Sequence, residues 1–359
     1  MSKTLQTQTL AALLLLLALP LAAVQPARAQ ADTPQVRITQ VDASQFPQVT
    51  VYVSVTDAGG EPVNVDPNQI QLYENGQPVA AVQISGAGQV GPLITMLVVD
   101  VSGSMVNGGK IQAARQAARA YIDQMRPGDQ AGLISFNTRI TYVQPVTGDR
   151  QALVAAIDSL VTRDDTAMYD ALLQAVAALE GLPGRKAIIL LTDGLDNSSA
   201  GTLADVTASI SQGGLSISTI GLGDPAAGSG FYGIDEASLR DLASRAGGAY
   251  AFAPDSAALQ EIYQVYGQTL QSEYAITYTS PASLRDGINR SLTASLGSGE
   301  PASAAEAGYN PGGVLPEVEG NSNLLFTAIL AGLVLLLFLP AFTRLFASRK
   351  PKRSRIKLK

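Results

Sequence analysis

The chain of 359 residues contains no cysteine and no histidine. The first absence excludes disulfides, thiol chemistry and zinc–thiolate sites. The second removes the commonest general base, and with it any Ser-His-Asp arrangement. Together they weigh against an enzyme. Acidic residues are missing from both ends of the chain. All 30 lie between Asp32 and Glu319, a stretch that holds 14 of the 24 basic residues. From Arg344 onward there are 8 basic residues and no acidic one. No basic, aromatic-lined patch points to nucleic acid.

The ends carry targeting signals. Residues 1–29 combine Lys3, an apolar stretch from Leu10 to Val24, and Ala27-Arg28-Ala29 before Gln30, the pattern of a secretory signal peptide. Without a cysteine, a lipoprotein leader is excluded. Residues 324–342 form a charge-free apolar run of about the 20 residues that a membrane-crossing helix needs. The basic tail at 343–359 then reads as the cytoplasmic flank. These signals predict a single-pass protein of the cell membrane, with its main body outside the cytoplasm.

Between the ends, residues 30–90 read as β-rich. Val49, Val51, Val53 and Val55 alternate onto one strand face, and Glu74-Asn75-Gly76 marks a hairpin after Ile70–Tyr73. Residues 91–272 alternate strand and helix. Strands are expected at 93–100, 129–136, 186–192, 215–222 and 249–253, with an antiparallel edge near 139–143. Helices are expected from Lys110 and at 150–160, 169–179, 202–211, 235–245 and 256–271. This predicts an α/β fold, a doubly wound, mostly parallel sheet with helices on both faces. Residues 273–297 hold two more strands. Either they return to the N-terminal strands, making the α/β body an insertion in a β-sandwich, or they form a separate small module. Residues 298–323, rich in Gly, Pro, Ser and Glu, read as a flexible stalk.

The strongest functional signal is the end of the first α/β strand, LITMLVVDVSGSM. Asp100, Ser102 and Ser104 place three short oxygen side chains on a loop at the carboxyl edge of the sheet, where such folds bind ligands. They can converge on one small hard cation. Thr166, in DTAMYDAL, and Asp193, in LLTDG, come from loops able to reach the same edge.

With these five positions in order and in context, the segment from about Leu93 to Gln271 resembles the von Willebrand factor type A family and its metal-ion-dependent adhesion site. The resemblance implies Mg²⁺, with Mn²⁺ or Ca²⁺ as alternatives. Ser102, Ser104 and Thr166 would bind through hydroxyls, while Asp100 and Asp193 act through ordered waters. Neutral hydroxyls leave the cation underneutralised, so it seeks an Asp or Glu carboxylate from a protein partner. The implied function is metal-dependent protein recognition or adhesion, without catalysis. One departure is Asp164-Asp165 before Thr166, where the family often has glycines; these, like Asp196, read as solvated loop residues. The resemblance also implies that the helix at 256–271 can shift with occupancy of the site, against the simpler expectation of a static packing helix. Lys110, Arg115 and Arg119 read as a solvated face.

Two other functions remain open to this sequence. A scaffold or assembly factor of an envelope complex would use the metal only to hold loops. A Mg²⁺-dependent phosphohydrolase of haloacid-dehalogenase type would need a second aspartate where this chain has Ser102, and would leave the threonine loop unexplained.

Overall fold

A computed structural model describes residues 34–312, apart from 88, 164, 224–233, 283 and 298–304, and also residue 330. The expected signal peptide lies outside the described residues, as does the expected membrane span except at Leu330. Among the described residues, no helix is long and apolar enough to cross a membrane.

The α/β body is built on β6 (Leu93–Asp100), every residue of which is buried. It sits at the centre of a six-stranded sheet. Parallel neighbours β7 (Gln130–Phe136) and β9 (Arg185–Thr192) flank it, followed outward on the β9 side by β10 (Ser216–Leu222) and β11 (Gly247–Ala253). On the other side β8 (Ile140–Thr147) closes the sheet as an antiparallel edge strand. A strand buried on both faces needs an unbroken apolar run, which LITMLVV provides. Leu93, Leu97 and Val99 pack under α1 (Lys110–Gln124), α2 (Arg150–Asp158) and α6 (Ser256–Gln271). Ile94, Met96 and Val98 pack under α3 (Met168–Leu179), α4 (Leu203–Gly213) and α5 (Glu236–Arg245). Met96, Leu97, Val98 and Val99 are wholly shielded. Each such side chain contributes about 1.5–3 kcal/mol on leaving water. Chain order steps from β6 to β7 on one side and then crosses back to β9 on the other. The sheet's switch point therefore lies between β6 and β9.

Strands from before and after this body pair with each other. One sheet has the order β1 (Gln35–Asp42), β2 (Gln48–Thr56), β12 (Tyr274–Thr279), β5 (Ala81–Ser85). The other runs β14 (Ala305–Tyr309), β13 (Arg290–Leu296), β3 (Ile70–Glu74), β4 (Gln77–Val79). Val49, Val51, Val53 and Val55 face one shared core with Leu72, Ile276, Tyr278 and Leu292. The β3–β4 hairpin turns on Asn75 and Gly76, both at positive φ, which suits the twist of the strands it joins. The α/β body enters after β5 and leaves at β12, two residues beyond α6.

One expectation is corrected. Residues 305–309 fall within the expected stalk, yet AEAGY forms β14. Its small residues hide a period-two pattern in which Ala305, Ala307 and Tyr309 turn inward. Tyr309 is anchored by a hydrogen bond of 3.1 Å from its hydroxyl to the buried carboxylate of Glu74.

Candidate functional site

The five candidate residues gather at the carboxyl ends of β6 and β9. Val99 pairs with Leu191, so Asp100 lies beside Thr192, and Asp193 follows as the chain leaves the sheet. Asp100 is fully buried with both oxygens engaged. Oδ1 accepts the Ser102 amide at 2.8 Å, and Oδ2 accepts the Thr192 hydroxyl at 2.6 Å. Burial pushes its carboxyl up to about 6, with the nearby Asp193 adding to the rise while the Thr192 and Ser102 hydrogen bonds oppose it.

From Ser102 the chain turns through a 3₁₀ segment, Gly103–Gly109, to α1. Gly108 and Gly109 both adopt positive φ there, a conformation that favours glycine. The turn puts the Ser102 and Ser104 hydroxyls 3.0 Å apart, and Ser104 donates to Asp193 Oδ1 at 2.7 Å. Two oxygens on one edge of an octahedron with metal–oxygen bonds of 2.0–2.1 Å lie about 3 Å apart. The serine hydroxyls, hydrogen-bonded to each other, have a separation compatible with that edge.

Thr166 is brought in by a stitched pair of loops. Its carbonyl accepts the amides of Asn197 and Ser198, both at 3.1 Å, and its own amide donates to Asn197 Oδ1 at 3.0 Å. A Cβ added at Gly194 would lie 3.7 Å from Thr166 Oγ1, which puts that hydroxyl beside the Asp193 turn. Asp196 does not behave as a solvated loop residue. Its Oδ2 accepts the amides of Met168 and Tyr169 at 2.7 and 3.0 Å, satisfying the exposed start of α3, and it also holds Ser199. Asp170 returns the favour by accepting the amides of Ala200 and Gly201. Asp165 is exposed, and Asp164 lies outside the described residues.

The expected solvated face of α1 holds at Arg119, which is exposed, and is corrected at Arg115 and Lys110. Arg115 donates to the Leu160 carbonyl, and Arg119 pairs with Asp158. Lys110 reaches into the site, with Nζ 2.6 Å from Asp193 Oδ2. Thr192 is not among the sequence candidates, and Lys110 is there only as part of a solvated face. The available signals were a hydroxyl directly before the strand-terminal aspartate, and a cation at the first residue of a helix.

The donor set is two carboxylates and three hydroxyls, four of the five residues being buried. Among the described residues, no group of three or more acidic side chains could hold a metal by carboxylates alone. The serine spacing, and a lysine ammonium already resting on Asp193, both suit a site built for positive charge.

Residues 95–195 match the family described as von Willebrand factor type A domain. The part of the chain that is similar to this family thus runs from β6 to the turn after β9 and holds all five candidate residues. A UPF0353 protein of Mycolicibacterium vanbaalenii is 32% identical over 205 residues. That alignment covers 48% of this chain and 58% of the relative, so the chain spans less than two thirds of its length. An aerotolerance-related membrane protein from Bacteroides fragilis has a similar structure at 21% identity and a TM-score of 0.43, covering 50% of this chain and 98% of that one. Proximal thread matrix protein 1 from the mussel byssus, with a zinc-occupied MIDAS motif, is similar at 20% identity and a TM-score of 0.45, covering 55% of this chain and 49% of that one.

Proposed function

We propose that this chain is a membrane-anchored, extracytoplasmic type A domain protein that binds a divalent cation and uses it to hold a carboxylate of a protein partner. The observation that carries this reading is the convergence of Ser102, Ser104 and Asp193 at the switch point, with oxygen spacings of 3.0 and 2.7 Å. Ser102, Ser104 and Thr166 would hold the ion, with Asp100 and Asp193 orienting water around it. Mg²⁺ fits the spacing and the hard oxygen donors; Mn²⁺ and Ca²⁺ are the alternatives. The bound ion would supply a positive centre for a partner's Asp or Glu. Exposed Val106 and Val161, in the loops next to Ser104 and Thr166, supply apolar contact beside it. Anchoring rests on the apolar run at 324–342 and its basic flank.

Hydrolysis by an aspartyl nucleophile is disfavoured. Asp100 is fully buried beneath Ser102 and Thr192, out of reach of a substrate, and Ser102 stands where that mechanism needs a second aspartate. A scaffold reading has one observation in its favour: the Lys110–Asp193 ion pair already ties the start of α1 to the loop after β9.

Thermal unfolding of the full chain in EDTA, Mg²⁺, Mn²⁺ and Ca²⁺ tests the proposal. An ion that binds only the folded state raises its stability, and Ser102→Ala/Ser104→Ala must abolish the rise. No rise in the wild type at millimolar metal removes the cation site and metal-dependent recognition with it, leaving only a scaffold whose loops need no metal.

A further inference from the structure

Lys110 opens α1 with a positive charge at the end of the helix where the peptide dipoles already concentrate positive charge. The first turn holds no acidic residue, and Gly109 gives no side-chain cap, so the helix offers the ammonium no compensation. Asp193 does. The pair is 2.6 Å apart, with the Lys110 side chain 27% exposed and the Asp193 side chain sealed at 0%. On the other flank is the Gly223 backbone, where an added Cβ would lie 3.6 Å from Nζ. Asp193 thus divides its oxygens between the Ser104 hydroxyl and the lysine.

This arrangement has a charge consequence. Asp100 and Asp193 supply the negative charge of the site, and Lys110 cancels part of it. A divalent ion among the same hydroxyls would face a like charge in a shielded setting, where repulsion is far stronger than in water. Lys110 has a flexible four-carbon stem and a partly exposed side chain, so it can leave without disturbing α1.

We infer that Lys110 is a tethered counter-ion that holds Asp193 in the metal-free protein and must release it for the site to be loaded, so that this residue sets the affinity for divalent cations. The inference rests on the cation-site reading above. It makes the loops stable when empty and keeps affinity low, so that occupancy depends on what else binds the ion.

Isothermal titration of the full chain, stripped with EDTA and dialysed, with MgCl₂ and MnCl₂ tests it. Lys110→Met and Lys110→Gln should each bind at least about tenfold tighter than wild type, whereas Lys110→Arg stays close to wild type. Using two neutral variants separates the loss of charge from a packing defect in either. In EDTA, unfolding of Lys110→Met, Asp193→Asn and the double variant should be non-additive. If both neutral variants bind with unchanged or weaker affinity, the counter-ion role is overturned and the cation site stands. If neither the wild type nor any variant takes up metal, the cation site falls and the counter-ion role falls with it.

Discussion

The two edges of the six-stranded sheet are built from the same strands and solve opposite problems. At the carboxyl edge, short loops leave Ser102, Ser104 and Asp193 bonded chiefly to one another and to a displaceable lysine. At the amino edge, groups are locked against the β-sandwich. Arg185, at the start of β9, is 2% exposed and donates from Nε to Glu273 at 2.9 Å, from Nη1 to the Gly91 carbonyl and from Nη2 to the Leu270 carbonyl. Gln40 of β1 accepts the Lys186 amide at 2.9 Å. Gly247, at a φ of +67°, lies so close to β1 that an added Cβ would sit 2.5 Å from the Ile38 carbonyl oxygen. One edge leaves polar groups bonded to one another and to a partly exposed lysine. The other consumes them in fixing how the two bodies meet.

Breaking the amino edge should cost most. Arg185→Ala strands the buried Glu273 carboxylate and should destabilise the fold by about 3–5 kcal/mol, seen in chemical unfolding. The effect on metal binding should be small by comparison, which sharpens the contrast between the edges.

The next effect belongs to the carboxyl edge and depends on pH. Asp100 is raised to about 6 in the fold from an unfolded value near 4, so the folded state holds more protons than the unfolded state between those values. Stability in EDTA should therefore fall as pH rises from 4 to 6, by about 3 kcal/mol, and then level off. Asp100→Asn should flatten that slope in unfolding curves taken across the range. For the wild type, stabilisation by metal should shrink below pH 6, because protonated Asp100 no longer contributes its charge.

Ser102→Ala/Ser104→Ala should leave the metal-free fold nearly unchanged while removing the metal-dependent gain. That gain is about 2.7 kcal/mol at a metal concentration of about 100 times Kd. Gly247→Ala is the mildest break, about 1–3 kcal/mol in unfolding, from a strained φ and a collision with Ile38.

The carboxyl edge was legible in the sequence because its residues sit at fixed offsets from strand ends. Asp100, Ser102 and Ser104 follow one apolar run, and Asp193 ends another. The amino edge was not legible. Arg185 and Glu273 are separated by 88 positions, and nothing local marks either as buried. The same limit hid Lys110, whose partner lies 83 positions away, and Asp196, whose role as a cap for α3 depends on a loop folding back across 28 positions. β14 escaped for a different reason. Its inward residues, apart from Tyr309, are alanines too small to register as a strand's apolar face.

The most direct test of the central claim is anomalous diffraction from crystals grown with Mn²⁺. The account predicts one strong peak between the Ser102 and Ser104 hydroxyls, at the ends of β6 and β9, with Lys110 withdrawn from Asp193. A peak elsewhere, or none at millimolar Mn²⁺ with Lys110 still on Asp193, would contradict it.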